Sequence, residues 1–223
     1  MEKREIRKYY RDKSIVFRKT KEDFGGLSNM AGGYLIYLNG IRILSSEALY
    51  QACRYPHIPD AQKEIVFQKS PMTAKMKSKK YKENSRPDWD DVRLKVMRWC
   101  LRVKLFNNWD KFSTLLLSTE DLPIVEESNK DDFWGAKPVD INLLIGTNAL
   151  GRLLMELRDE IKTLESNKEY ILNPPDIPYF MFYGREIERT IFKMPKELKA
   201  IDEKKKADYE TIQQLSISDL FEN

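Results

Sequence analysis

A chain of 223 residues, 41% hydrophobic and 33% charged, has the length and composition of one folded domain, with or without an appendage. No apolar run approaches the roughly 20 residues of a membrane span, and the basic stretch 1–21 lacks the apolar segment of a secretory signal. The net charge of +4 is modest, with basic clusters at 3–21 and 69–86 that permit an anionic partner without demanding one.

In chain order, the first distinctive segment is glycine-rich, Phe24 to Gly33. Apolar runs at 34–38 and 41–44 flank Asn39-Gly40, the signature of a type I′ hairpin. Ser45 or Ser46 then caps a predicted helix running to about 55. Ser70-Pro71 opens another, with serine as cap and proline in the first turn. The acidic run Asp88-Trp89-Asp90-Asp91 starts a long helix to about 106, and 111–117 reads as a short one. The polar stretch 126–142 reads as a loop. Thr147 or Asn148 caps a last core helix through 164, striped with Leu150, Leu153, Leu154, Leu157, Ile161 and Leu164. Beyond Asn173-Pro174-Pro175 come an aromatic cluster at 179–183 and a charged helix predicted over 195–215. The expected fold is mainly α, an α+β arrangement with one small hairpin. Residues 1–165 form the predicted domain with its basic leader, and 166–223 a C-terminal extension.

Composition also narrows the chemistry. The two cysteines, Cys53 and Cys100, sit in apolar-patterned stretches, so the expectation is free thiols in a reducing cytoplasm. The single histidine, His57, lies in a turn bracketed by Pro56 and Pro59. With no C-x-x-C or H-E-x-x-H pattern, neither a histidine-based nucleophile nor a zinc site is supplied. Catalysis, if present, falls to Asp, Glu, Lys and Tyr.

Several such residues break their local pattern. On the long helix Lys95, Arg98 and Arg102 share one face, whereas Lys104 aligns with Met97 and Cys100 on the apolar side, with Arg93 on the same line. A lysine there either snorkels outward or serves a pocket. Glu47, Gln51 and Arg54 form a polar strip opposite Ala48, Ala52 and Tyr55. Asp131, Asp132 and Trp134 combine acids with a ring that stacks on a flat base or plugs the core. The helix start 147–152 offers backbone N–H groups and Arg152 to an anion, or is a plain cap. Asn29, in the glycine segment, carries an amide suited to a ribose hydroxyl.

Taken together and in order, several segments resemble the NADAR (NAD- and ADP-ribose-associated, YbiA-like) family. They are Phe24-Gly25-Gly26-Leu27-Ser28-Asn29-Met30, Ser45-Ser46-Glu47-Ala48-Leu49-Tyr50-Gln51-Ala52 and Lys69-Ser70-Pro71-Met72-Thr73-Ala74-Lys75. They continue with Asp88-Trp89-Asp90, Leu101-Arg102-Val103-Lys104, Asp131-Asp132-Phe133-Trp134-Gly135 and the run from Gly146 to Arg158. The likeness covers about 16–160. It implies a YbiA-like fold and hydrolysis of N-glycosidic bonds, without metal or cofactor. It further implies Glu47, Lys104 and Asp131 as catalytic residues, and Asn29, Trp89, Trp134, Gly135 and Asn148 as substrate-binding ones. Arg18 and Lys19 are added from the more variable stretch before the glycines. Two routes are open, water attack assisted by Glu47 or Asp131, and a transient imine on Lys104. Within the family the expected substrate is ADP-ribosylated guanine in DNA, as in antitoxins to DarT-type ADP-ribosyltransferases, a cognate transferase then being a partner. A ribosylaminopyrimidine phosphate of riboflavin synthesis is the alternative, and a non-catalytic ADP-ribose reader a third.

Overall fold

The basic leader is not a loose preface. In the computed structural model, which describes residues 5–195, it forms β1 (Arg7–Tyr10) and β2 (Ile15–Phe17). The chain continues through β3 (Ile36–Leu38), β4 (Ile41–Ile43) and helices α1 (Ser46–Ala52), α2 (Pro59–Val66), α3 (Pro71–Lys79), α4 (Trp89–Asn107) and α5 (Trp109–Leu117). Next come β5 (Ile124–Glu126), β6 (Lys137–Pro138), β7 (Leu143–Gly146) and α6 (Ala149–Lys162). Last are β8 (Glu169–Leu172), β9 (Met181–Phe182), β10 (Arg185–Glu186) and β11 (Thr190–Lys193). Among the described residues these elements fall into two units, one of residues 5–164 with Ile171–Phe192, the other of Glu165–Tyr170 and residues 193–195.

The hairpin forms where expected, β3 pairing antiparallel with β4, because Asn39 (φ 51°) and Gly40 (φ 72°) both take the left-handed conformation its turn requires. Ser45 caps α1, its hydroxyl accepting from the Ala48 N–H, and Ser70 caps α3 in a reciprocal box with Thr73. Helix α1 stops at Ala52, short of the expected 55. Helix α2, which no pattern announced, starts on Pro59 and is tied down by buried Gln62. The Gln62 amide donates to the carbonyls of Ala52 and Met181 and accepts from the Tyr183 N–H. Helix α4 packs on α1, α5 and α6. Its polar strip is not simply solvated: Arg98 pairs with Glu156 and Arg102 with Glu160, both on α6.

The stretch 126–142 is the main correction. It enters as the end of β5 and contains β6, which pairs with β7 in an antiparallel sheet of order β1-β7-β6. Strand β5 pairs in parallel with β2. An apolar cluster of Tyr9, Val125, Ala136 and Leu144, with Val16 against it, holds these strands together. The strands are short, and β2, β5 and β7 carry consecutive apolar residues rather than an alternation, so no period-2 pattern marked them. Strands are thus more numerous than the single hairpin expected, and the described architecture is α+β.

Helix α6 starts without a side-chain cap, contrary to expectation. Asn148 stands at the cap position in the left-handed region (φ 51°), with its amide used elsewhere. The aromatic segment packs on α4 through an edge contact of Phe180 with Trp99. In the second unit, the Met194 N–H donates to the Lys168 carbonyl and Lys168 pairs with Glu165. Beyond Pro195, the charged helix predicted to 215 lies outside the described residues. No described helix is long and apolar enough to cross a membrane.

Candidate active site

The site is assembled from the glycine segment upward. Lys104, fully buried, donates its ammonium protons to the carbonyls of Gly26 (2.7 Å) and Ser28 (3.2 Å) and lies over the rings of Tyr34 and Phe112. Burial, then the charge of Lys111, pushes its pKa well down. The carbonyls and ring faces are the compensation a charge at that depth requires. The loop so held presents Asn29. Its carbonyl accepts from the Glu47 N–H and the Ser46 hydroxyl, and its side-chain amide donates to Glu47 Oε2 at 2.7 Å. The other Glu47 oxygen accepts from the Gln51 amide at 2.9 Å, and Gln51 is oriented in turn by the Ser78 hydroxyl. Glu47, 4% exposed, is therefore gripped from α1 and the glycine loop, with α3 behind.

Glu47 opens into a cleft of about 400 Å³ that also takes in Asn29, Gln51, Trp89, Glu126, Asp131 and Trp134. One wall is aromatic, with Tyr50 between Trp89 (centroids 5.0 Å) and Trp134 (5.7 Å). Burial, and secondarily Glu47, raises the Tyr50 phenol well above its ordinary range, so it stays neutral. Cations surround the cavity: Arg18, Arg54, Lys75 and Arg93 all line it. Arg54 lies against the Trp89 ring and Arg93 over Phe133, which steers both guanidiniums. Arg18 is placed by Glu127, which also holds Arg11.

The remaining acids come from β5 and the loop after it. Asp131 Oδ1 accepts from the N–H groups of Phe133 and Trp134, so one carboxyl fixes the turn that carries Trp134. Glu126 ends β5 and has its pKa raised to about 7, by burial first, then by Glu47, with Asp131 adding to the rise and Lys75 opposing it. Among the described residues no group of three His, Cys, Asp or Glu is arranged to hold a metal ion.

Of the residues singled out in the sequence, Glu47, Asp131, Asn29, Trp89, Trp134 and Arg18 line this cleft. Lys104, Gly135, Asn148 and Lys19 do not. Lys104 is beneath the glycine loop, with its ammonium committed to that loop's carbonyls. Gly135 is a point of close backbone approach, where a Cβ would stand 2.4 Å from the Glu126 carbonyl. Asn148 is fully buried and bonds to β5 on both sides, to the Ile124 carbonyl and the Glu126 N–H. Lys19 is exposed, its N–H bonded to the Glu22 carboxyl. The helix start is not an anion site either. The N–H groups of Thr147, Asn148, Ala149 and Leu150 are spent on the carbonyls of Asp132, Gly135, Phe133 and Trp134. Conversely, the polar strip Glu47, Gln51 and Arg54 all reaches the cleft. Glu126 and Lys75 were missed: Glu126 lay within a stretch read as loop, and Lys75 within a basic run indistinguishable from a solvated face.

Carboxyl groups without histidine or thiol, set against rings that meet tilted and edge-on and flanked by cations, make a site suited to acid–base chemistry. The sequence profile of the NADAR domain matches residues 16–162. The chain is similar to the N-glycosidase YbiA of Escherichia coli strain K12, 33% identical over 156 residues, or 70% of this chain and 93% of YbiA. It is also similar to the riboflavin biosynthesis protein VVA0006 of Vibrio vulnificus, 32% identical over 158 residues. That match spans 71% of this chain and 41% of the Vibrio protein. The chloroplastic riboflavin biosynthesis protein PYRR of Zea mays is 32% identical over 171 residues, 68% of this chain and 26% of that one. The NMR structure of E. coli YbiA superposes with a TM-score of 0.57 at 30% identity, covering 69% of this chain and 90% of that one. The chain belongs to the NADAR family and has a YbiA-like fold.

Proposed function

We propose that the chain is an N-glycosidic hydrolase whose substrate is ADP-ribosylated guanine in DNA. The observation that carries this reading is the convergence, in one cleft, of Glu47, Asp131 and Glu126 with the Trp89–Tyr50–Trp134 wall and four cations. Glu47, gripped by two amides, activates a water against ribose C1, and Asp131 stabilises the oxocarbenium-like centre that develops there. Asn29 Oδ1, buried and without a partner among the described residues, accepts from a ribose hydroxyl. Trp134 or Trp89 stacks on a flat ring. The water route is favoured over an imine because the Lys104 ammonium is bonded beneath the glycine loop rather than in the cleft. Lys104 positions Glu47 through that loop.

Four cations suit a substrate with more than one phosphate, which supports the ADP-ribose reading and a nucleic-acid context. A cognate ADP-ribosyltransferase is the expected partner. A ribosylaminopyrimidine phosphate is the second reading, supported by the names of the Vibrio and maize relatives. Side-by-side assays of sugar release from ADP-ribosyl-guanine DNA and from that phosphate separate the two. Faster turnover of the phosphate overturns the first reading. In either assay Glu47→Gln is expected to lose about 100-fold or more in kcat. Undiminished turnover removes Glu47 from the chemistry.

A further inference from the structure

Resting on the hydrolase reading, we propose that Glu126 delivers the proton to the departing nitrogen and that Asn148 is a positioning residue acting through it. Of the four carboxyls lining the cleft, Glu127 is ion-paired with Arg11 and Arg18, and the other three are distinguished by their donors. Both Glu47 oxygens accept amide N–H bonds, and Asp131 Oδ1 accepts two backbone N–H bonds, so these oxygens are already engaged as hydrogen-bond acceptors. The Glu126 carboxyl has no hydrogen bond or ion pair among the described residues and faces the cleft. A carboxyl without donors is the one free to carry a proton and give it away.

Its main chain, by contrast, is held on every side. Glu126 pairs with Phe17 across the parallel β2–β5 ladder, and its carbonyl accepts from the Ala136 N–H at 2.8 Å. Its N–H donates to Asn148 Oδ1 at 3.1 Å, while Asn148 Nδ2 donates to the Ile124 carbonyl at 2.8 Å. One amide thus spans the strand end like a two-pronged clip. The clip fits because residue 151 is glycine: a Cβ there would stand 2.1 Å from the Ile124 carbonyl and 2.5 Å from the Asn148 amide. Asn148 takes up its left-handed backbone to reach that position, a conformation asparagine tolerates better than most residues. Burial and the facing carboxyls of Glu47 and Asp131 favour the protonated Glu126, against the charge of Lys75 from α3. Arg18, Arg54, Arg93 and Glu127 are the other charged groups lining the same cavity.

The step balances. The bond from ribose C1 to the base nitrogen breaks with its electron pair going to nitrogen, which takes the Glu126 proton. Water oxygen bonds to C1 as Glu47 takes the water proton, and exchange with solvent returns both carboxyls to their starting states. Without that proton an amine would have to leave as an anion, which is why the donor matters.

The test measures kcat and KM against pH for wild type, Glu126→Gln and Asn148→Gly, the glycine keeping the left-handed backbone while removing the clip. Glu126→Gln is expected to lower kcat about 100-fold with KM changed less than about threefold. Wild-type kcat should fall above pH 7, and Asn148→Gly should move that limb by more than about half a pH unit. A Glu126→Gln enzyme within threefold of wild-type kcat, or one altered in KM alone, overturns the catalytic assignment. An unmoved limb in Asn148→Gly overturns the positioning role. If wild type releases sugar from no N-riboside, the hydrolase reading itself has failed. The Glu126 carboxyl can still be titrated by carbon-13 NMR in glutamate-labelled wild type and Asn148→Gly. Identical midpoints there overturn the clip independently of turnover.

Discussion

Glu47, Asp131 and Glu126 share a cleft, and their neighbours prepare them differently. The raised Glu126 pKa, about 7 against 4.5, means that the folded chain binds this proton more tightly than the unfolded chain does. The stabilisation is therefore complete below about pH 4.5 and is lost as pH rises through 7. At about 1.4 kcal/mol for each tenfold difference in proton affinity, the loss amounts to about 3 kcal/mol. Urea unfolding should show Glu126→Gln close to wild type at about pH 4 and more stable at about pH 8, and equal stabilities at both pH values would refute the raised pKa. Glu47 and Glu126 differ as much in how far the sequence revealed them. Glu47 was legible because Gln51 and Arg54 repeat its polarity at helical spacing, a local pattern. Glu126 was not, because its surroundings are made by β2, Gly135 and Asn148, all distant in sequence. Spacing alone placed neither acid against a ribose; the family likeness suggested that bond.

At the scale of elements, the glycine segment is a relay between α4 and α1. Lys104 holds the carbonyls of Gly26 and Ser28, and the next residue, Asn29, grips both backbone and side chain of Glu47. Replacing Lys104 by Met leaves the Gly26 carbonyl without its donor, whereas the Ser28 carbonyl keeps the Ala31 N–H. At about 1–3 kcal/mol for an unsatisfied buried group, a loss in that range in chemical denaturation is expected. A loss under about 0.5 kcal/mol would show that water or a neighbour takes over the donor's role. Helix phasing identified the anomaly at Lys104, because an apolar side is fixed by local geometry. It did not tell where the ammonium goes, because the loop it reaches lies 76–78 residues earlier. The start of α6 shows the same limit. Its residues suggest a cap and a free anion site, yet the turn carrying Trp134 folds back and takes those N–H groups.

For the molecule as a whole, residues 7–17 matter more than their composition suggests. β1 pairs with β7 and β2 with β5, burying Tyr9 and Phe17, although the family profile begins at residue 16. At about 2 kcal/mol per buried aromatic side chain plus the lost pairing, a chain starting at Arg18 should lose about 5 kcal/mol. Its thermal midpoint should fall by more than about 10 °C, and an unchanged midpoint would show the two strands to be dispensable. Helices α1 and α3 to α6 were readable from caps and periodicity. So was the β3–β4 hairpin, but β1 and β2 were not, since their partners β7 and β5 lie far along the chain. The clip from Asn148 to β5 has a consequence for how this protein can be altered. It closes residues 126–148 into a ring whose ends are bonded together, so segment length is fixed near Gly135 and Gly151, where backbones nearly touch. At the far side of that ring Ile141 is 94% exposed, in the turn between β6 and β7. Extra residues or a grafted peptide belong at that turn, where the chain can lengthen without transmitting the change to the carboxyl that the ring exists to hold.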